Sequence, residues 1–227
     1  MHKIFTTVSA AFVAVFLAVG AATPAAALSD EQEVVDKARI TATKLLSNPD
    51  FGSLPGKLKD AKAVIIIPSL IKGAFFFGAQ GGTGVLLAKS PQGSWSYPAF
   101  YTLGGGSFGL QIGAKAAEVI LLVMNDGALD AVLKNQVKLG ADASFAMGEI
   151  GAGVEGSTTT NVGADIIAFG SAEGLFAGVA LEGSVINSRE SMDEAYYGKG
   201  AKAREIVVDQ KFSNGAADSL RQVLAAY

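Results

Sequence analysis

Hydrophobic and polar positions fall into three regimes along the chain. From Ser29 the pattern is helical: Val34, Val35, Ala38, Ala42, Leu45 and Leu46 recur at three- and four-residue spacing behind an N-cap serine, with Gln32 at the capping-box position. Asp30, Glu31 and Glu33 lie in the first turn, where the helix dipole favours acids. The pattern predicts a helix to about Ser47, ended by Asn48-Pro49 because proline disfavours helical geometry in the residue before it. A short helical piece around Pro55 to Ala61 follows.

From Ala63 the period shortens. "AVIIIP", "AFFFGAQ", "TGVLLAK", "SWSYPAFYTL", "SFGLQIGA" and "EVILLVM" are apolar or alternating runs separated by Gly, Pro and Ser, and they read as successive strands. "GALDAVLKN" predicts a brief helix. Strict alternation then returns, with Leu139, Ala141, Ala143, Phe145 and Met147 on one side of a predicted strand and Gly140, Asp142, Ser144, Ala146 and Gly148 on the other. "ADIIAFG" and "GLFAGVALEGSVI" continue as strands after the turn-like "EGSTTTN", and "RESMDEAYYG" and "GAADSLRQVLAAY" return to helix. The expected fold is α+β: helices at both ends around a glycine-rich, largely antiparallel sheet, curled or barrel-like. A final helical segment and the continuously apolar runs Val64 to Ile67 and Glu118 to Met124 argue against an outer-membrane barrel, whose strands alternate and whose last segment is a strand.

Ahead of all this stands "MHKIFTTVSAAFVAVFLAVGAATPAAA", with a basic start, an apolar core from Ile4 to Val19 and small residues at Ala25 to Ala27. That is the pattern of a signal peptide cleaved after about Ala27, which predicts residues 28–227 as a single periplasmic or secreted domain. The apolar core is shorter than the roughly 20 residues a spanning helix requires.

Composition narrows the chemistry. The chain has no cysteine and one histidine, His2, inside the leader, so the mature part has no imidazole base, no thiolate and none of the usual zinc or copper ligands. No metal or other cofactor is expected. With 18 Lys and Arg against 21 Asp and Glu, a nucleic-acid partner is not expected either. Charge is uneven, however: Lys57, Lys59, Lys62, Lys72 and Lys89 face only Asp60 between residues 57 and 89, whereas residues 140–190 hold seven acids and one arginine.

Two motifs imitate catalysis. Gly104, Gly106 and Gly109 spell G-x-G-x-x-G, with Asp126 near the place of a ribose-binding acid, but no buried parallel strand precedes them and no uninterrupted helix follows. Ser69-Leu70-Ile71-Lys72 matches S-x-x-K without a K-T-G or S-D-N companion. Trp95, the lone tryptophan, reads as a core anchor. Glycine at Gly81-Gly82, Gly104 to Gly106 and Gly178 is better explained by strands that approach closely in a bent sheet.

"PSLIKGAFFFGAQGGTGVLLAK", "GSWSYPAFYTLGGGSFGLQIGAKAAEVILLVMN" and "GLFAGVALEGS", in that order, resemble the signatures of the SYLF domain family from about Leu28 to Tyr227. The resemblance implies a non-enzymatic, lipid-binding domain, described as actin-binding in eukaryotic members, with a phospholipid or membrane surface as partner. It also implies binding through basic residues and the N-terminal helical region. Joined to the leader, this gives an expected role in binding anionic phospholipid at the cell envelope. The candidate lipid-binding residues are Lys57, Lys59 and Lys62 together with Leu70, Ile71 and Lys72, the last three in a predicted loop Pro68 to Gly73. Two alternatives stand beside this: an envelope module that binds another protein through a sheet edge or apolar groove, and a carboxylate-dependent hydrolase of envelope polymers.

Overall fold

The computed structural model describes residues 29–74, 78–107, 113–134, 136–150, 163–172 and 181–227. The expected leader, Phe75 to Phe77, Gly109, the turn-like "EGSTTTN" and most of "GLFAGVALEGS" lie outside the described residues, as does Gly178.

Helix α1 (Asp30–Ser47) forms as its caps dictate: Ser29 Oγ accepts from Gln32 N at 3.2 Å, and Asn48 leaves helical geometry ahead of Pro49. The Gln32 side chain does not complete the capping box. It bonds instead to Asp36, to the carbonyl of Ala216 and to the hydroxyl of Tyr196, tying the first helix to the C-terminal ones. A 3-10 turn (Pro49–Phe51) leads to α2 (Leu54–Asp60).

The strands are β1 (Ala63–Ala74), β2 (Gly78–Ala88), β3 (Ala99–Ser107), β4 (Gly113–Val123), β5 (Gln136–Lys138), β6 (Phe145–Ile150), β7 (Ile166–Ala172) and β8 (Val185–Ser188). They make one curled sheet in the order β5-β8-β3-β2-β1-β4-β7-β6, antiparallel except for the β6–β7 pair. The remaining helices are α3 (Asp126–Val132), α4 (Glu190–Tyr197), α5 (Ala203–Val207) and α6 (Asp218–Ala225). The expected α+β class, curled sheet and terminal helices are all present. Of "AFFFGAQ", Ala74 ends β1 and Gly78 to Gln80 open β2, which also takes in most of "TGVLLAK", so the two runs do not give two separate strands; "SWSYPAFYTL" becomes strand only after Pro98, in the interior of the sheet.

Both faces of the sheet are covered. Val64, Ile66, Val85, Leu87, Phe100, Ile120 and Leu122 pack with α1, α2 and α6, while Ile65, Ile67, Leu86, Tyr101, Leu121 and Ile186 pack with α3 and α5. Two buried faces explain why the central strands read as unbroken apolar runs.

The predicted strand across residues 139–148 is interrupted. Gly140 takes φ +81°, Ala141 is exposed, and Asp142 turns back to accept from Lys138 N at 2.8 Å. Leu139 and Ala143 are buried on the α5 face, so the alternation was real at its ends. The turn joins the two edge strands. A flat eight-stranded sheet would hold its edges about 34 Å apart, but the seven-residue step from Lys138 to Phe145 reaches at most about 25 Å. The sheet is therefore obliged to curl.

Strand β1 carries a bulge. Ile66 lies opposite Val85 but Ile71 opposite Gly81, and Ile67 opposite Val119 but Leu70 opposite Ala117, so β1 holds one extra residue against both neighbours. An extra residue reverses the side-chain phase. Ile65, Ile67 and Leu70 consequently share the α5-face cluster, and Ile71 turns to the α1 face. The bulge also explains glycine in β2: a Cβ on Gly82 would stand 2.5 Å from Ser69 O, and one on Gly84 would stand 2.0 Å from Ile66 O. Crowding holds for Gly105 as well, against Ser184, but not for Gly81 or Gly104, which have room for a Cβ.

Candidate functional site

The residues singled out from the sequence occupy two ends of β1. Lys57 and Lys59 belong to α2 and Lys62 lies just before the strand, while Leu70, Ile71 and Lys72 lie beyond the bulge. Nine extended residues separate Lys62 from Ile71, on the order of 30 Å along the strand. The chain thus brings the α2 lysines together, and Leu70 to Lys72 together, but not the two groups. Pro68 to Gly73 is not a loop as expected; it is strand, kept in register by two flanking strands.

At the α2 end, Lys59 and Lys62 are exposed and Lys57 is half-buried. Lys62 forms an exposed ion pair with Asp126 at 3.3 Å, which gives that acid a role unrelated to a ribose. Lys89 is half-buried and turned back onto the protein. Its Nζ donates to the carbonyls of Leu58 at 2.9 Å and Lys59 at 2.8 Å, and sits 4.8 Å from the centre of the Trp95 ring. A cation there satisfies the free carbonyls at the C-terminus of α2. Burial lowers its pKa, partly opposed by Asp60. Trp95 is buried, as a core anchor should be.

Beyond the bulge, Leu70 is 6% exposed and Ile71 is 56% exposed. Ile71 is flanked in register by Gly81 on β2 and Ala116 on β4, both exposed, with Gly104 beyond Gly81 on β3. Small neighbours leave the isoleucine standing above the sheet surface. Lys72 lies opposite Gln80 on one side and Lys115 on the other. Sequence reasoning missed Lys115, because only the β1–β4 pairing joins two lysines so distant along the chain.

Both catalytic imitations dissolve in this geometry. Gly104 and Gly106 sit inside β3, paired with Gly81 and Ala79 of β2, and are not part of a loop around a diphosphate. Ser69 and Lys72 are three residues apart on an extended strand, roughly 10 Å, rather than one turn apart on a helix.

Two carboxyl groups with lowered pKa values hold the fold together. Burial would raise Glu118, but hydrogen bonds from Lys44 Nζ at 2.6 Å, Ser171 Oγ at 2.9 Å and Thr41 Oγ1 at 3.2 Å outweigh it and bring the pKa below the ordinary range. This fastens α1 to β4 at the level of the bulge. Asp165 is lowered by Asn125 Nδ2 at 2.6 Å and by the hydroxyl and amide of Ser144 at 2.7 and 2.8 Å. Asn125 in turn caps α3 through Ala128 N at 2.8 Å. A shallow groove of about 330 Å³ lies between Trp95, Tyr97 and α6, where Arg221 stacks on Tyr97 at 4.1 Å while bonded to Trp95 O and Asp218.

Comparison with known proteins adds relatives to this geometry. Residues 104–227 match the family Ysc84, described as Las17-binding protein actin regulator. The chain is 30% identical over 168 residues to the SH3 domain-containing YSC84-like protein 1 of Bos taurus, covering 74% of this chain and 49% of that protein. The Homo sapiens protein of the same name is also 30% identical over 168 residues, with the same coverage. LAS seventeen-binding protein 3 of Saccharomyces cerevisiae is 29% identical over 201 residues, covering 86% of this chain and 44% of that protein. The chain spans about half the length of the curated relatives it matches.

Proposed function

The chain belongs to the Ysc84 family, the SYLF domains, and on that premise we propose that it is a non-catalytic domain that docks on anionic phospholipid through the far end of β1. The observation that carries this reading is Ile71, an exposed isoleucine on a floor of glycine and alanine near the end of the sheet. Inserting the isoleucine between lipid headgroups removes apolar surface from water at roughly 25 cal/mol per Å². Each lysine close to an anionic surface adds roughly 1 kcal/mol. Lys72 and Lys115, opposed in register at the next position, fall by alternation on the other face of the sheet, so they add attraction from the same end of β1 and not beside the isoleucine. The α2 lysines lie too far along β1 to share one headgroup with Ile71. They contribute a diffuse field instead.

A non-catalytic role is supported by the way Glu118 and Asp165 are spent on hydrogen bonds that fasten helices to strands. The leader-like N-terminus supports a location at the cell envelope, where the accessible lipid is phospholipid. Co-sedimentation with phosphatidylglycerol-containing and pure phosphatidylcholine vesicles tests the proposal. Wild type should bind the anionic vesicles, Ile71→Glu and Lys72→Glu should lose at least tenfold in binding, and Lys59→Glu should keep most of it. Equal sedimentation of all forms, or none on either vesicle, overturns it.

The family description favours a second reading, a protein partner of the actin-regulating kind. Co-sedimentation with actin filaments, or capture of an envelope protein with no lipid retained, would favour that reading over the first.

A further inference from the structure

The junction between β3 and α4 contains a buried acid with an incomplete set of partners. Strand β8 pairs with β3 as far as Ser188 opposite Tyr101, and Arg189 N then donates to Phe100 O at 2.8 Å. The chain turns into α4 at that point, leaving Phe100 N, on the same side of the strand, without a strand acceptor. Asp193 supplies one: its Oδ1 accepts from Phe100 N at 2.8 Å. The residue is 0% exposed, and its Oδ2 has no hydrogen-bond partner.

The surroundings do not compensate a charge. On α4 itself, Glu190 lies one turn back and adds negative potential, and Tyr197 donates its hydroxyl to Pro98 O at 2.7 Å. From β3, Tyr101 donates to Val132 O at 3.3 Å. Arg204 of α5 acts on Tyr101 but is paired with Asp130 at 2.6 Å. Arg189 points its guanidinium to Thr102, Asp36 of α1 bears on Tyr196, and Tyr97 and Arg221 bear on Tyr197. Among the described residues no cation forms an ion pair with Asp193.

We propose that α4 is a proton-controlled latch: with the Asp193 carboxyl neutral the helix lies closed on β3, and ionisation of that buried group loosens the helix and the aromatic cluster it carries. Burying an unpaired carboxylate is far more costly than burying the neutral acid. The cluster at stake is Phe100, Tyr196, Tyr197 and Phe212, joined edge to face or tilted at 5.3, 4.9 and 6.1 Å between ring centres. Because α4 also carries the Tyr196 hydroxyl to Gln32 of α1 at 2.7 Å, its release would remove one of the ties between α1 and the C-terminal helices.

Burial pushes the Asp193 pKa up to about 7, against the hydrogen bond from Phe100 and with help from Glu190. The folded chain therefore holds a proton that the unfolded chain has already released. This stabilisation is complete below the ordinary aspartate value of 3.8, is lost as pH rises to about 7, and is level above that. Glu118 and Asp165, whose values are lowered, act only at more acidic pH and in the opposite sense.

The test is urea unfolding of wild type and Asp193→Asn from pH 4.5 to 8, with amide exchange corrected for intrinsic rates. The wild-type folding constant should fall by up to tenfold per pH unit between about 4.5 and 6.5 and then level off, a component the variant should lack. Protection at Tyr196 and Tyr197 should drop between pH 5.5 and 8 at least tenfold more than at Val64 to Ile66, whose loss should not exceed the fall in the folding constant. Superimposable pH profiles, or equal loss of protection in β1, overturn the latch. If the variant does not fold, the wild-type Asp193 carboxyl carbon titrating above pH 6 supports the proposal, and titration below pH 5 overturns it.

Discussion

The two halves of β1 share one strand and have opposite surroundings. Before the bulge, every residue from Ala63 to Ile67 is fully buried between α1, α2 and α6 on one face and α3 and α5 on the other. After it, Leu70 is buried on the α5 face and Ile71 is left in the open. Hydrophobicity alone does not distinguish the two, since isoleucines occupy both. The difference comes from phase: one inserted residue keeps Leu70 facing the interior and turns Ile71 to a face where the helical cover has ended. An exposed isoleucine in such a place is a candidate contact, whereas the same residue four positions earlier is structural.

Substitutions can break the contrast, most strongly at the glycines beneath the bulge. Gly84→Val would drive a side chain into the backbone of Ile66 and should cost about 3 kcal/mol or more in urea unfolding. Gly81→Ala, beside Ile71 with nothing within 4 Å of its Cβ, should be neutral or stabilising by up to about 1 kcal/mol. Comparable losses at both sites would mean that the bulge does not press on β2. Truncation comes next: Ile66→Ala should lose about 2–5 kcal/mol. A smaller effect is expected where α1 meets the bulge. Glu118→Gln should remove a stabilising contribution that is present above the ordinary glutamate pKa and lost as pH falls through the lowered folded value, so wild type and variant stabilities should converge on acidification. The smallest change belongs to Ile71→Ala, within about 0.5 kcal/mol of wild type by thermal or urea unfolding. A large loss there would show that Ile71 belongs to the core after all.

Much of the architecture was legible in local pattern. Caps and periodicity marked α1 and α2 because those signals are contained within a few residues: Ser29 reaches Gln32 N, and Asn48 precedes a proline. The apolar runs marked the central strands because burial on both faces leaves no polar positions. What the sequence hid were effects of pairing. Nothing local to Pro68-Ser69 states that β1 gains a residue against both neighbours, so a bulged strand read as a loop. Residues 139–147 alternate as a strand does, and the positive φ of Gly140 is visible only once Asp142 is seen to fold back on Lys138. Within the candidate site, Ile71 and Lys72 are proposed from sequence and Lys115 is not, since the opposition of the two lysines depends on the β1–β4 register. Lys89 was counted as surface charge because its acceptors, two helix-end carbonyls, leave no trace in composition. Asp193 drew no notice at all: an acid in the first turn of a helix looks solvated until β3 is placed against it.

The short link between the two rims makes curvature a matter of backbone reach as well as of side-chain fit. A protease cut at Gly140-Ala141, where both residues are exposed, would free the rims while leaving every strand ladder its partners. The rims would then be joined by noncovalent contacts and by the longer run of chain from β7 to β8, and any tendency to spread open would measure how much of the curvature the short link enforces.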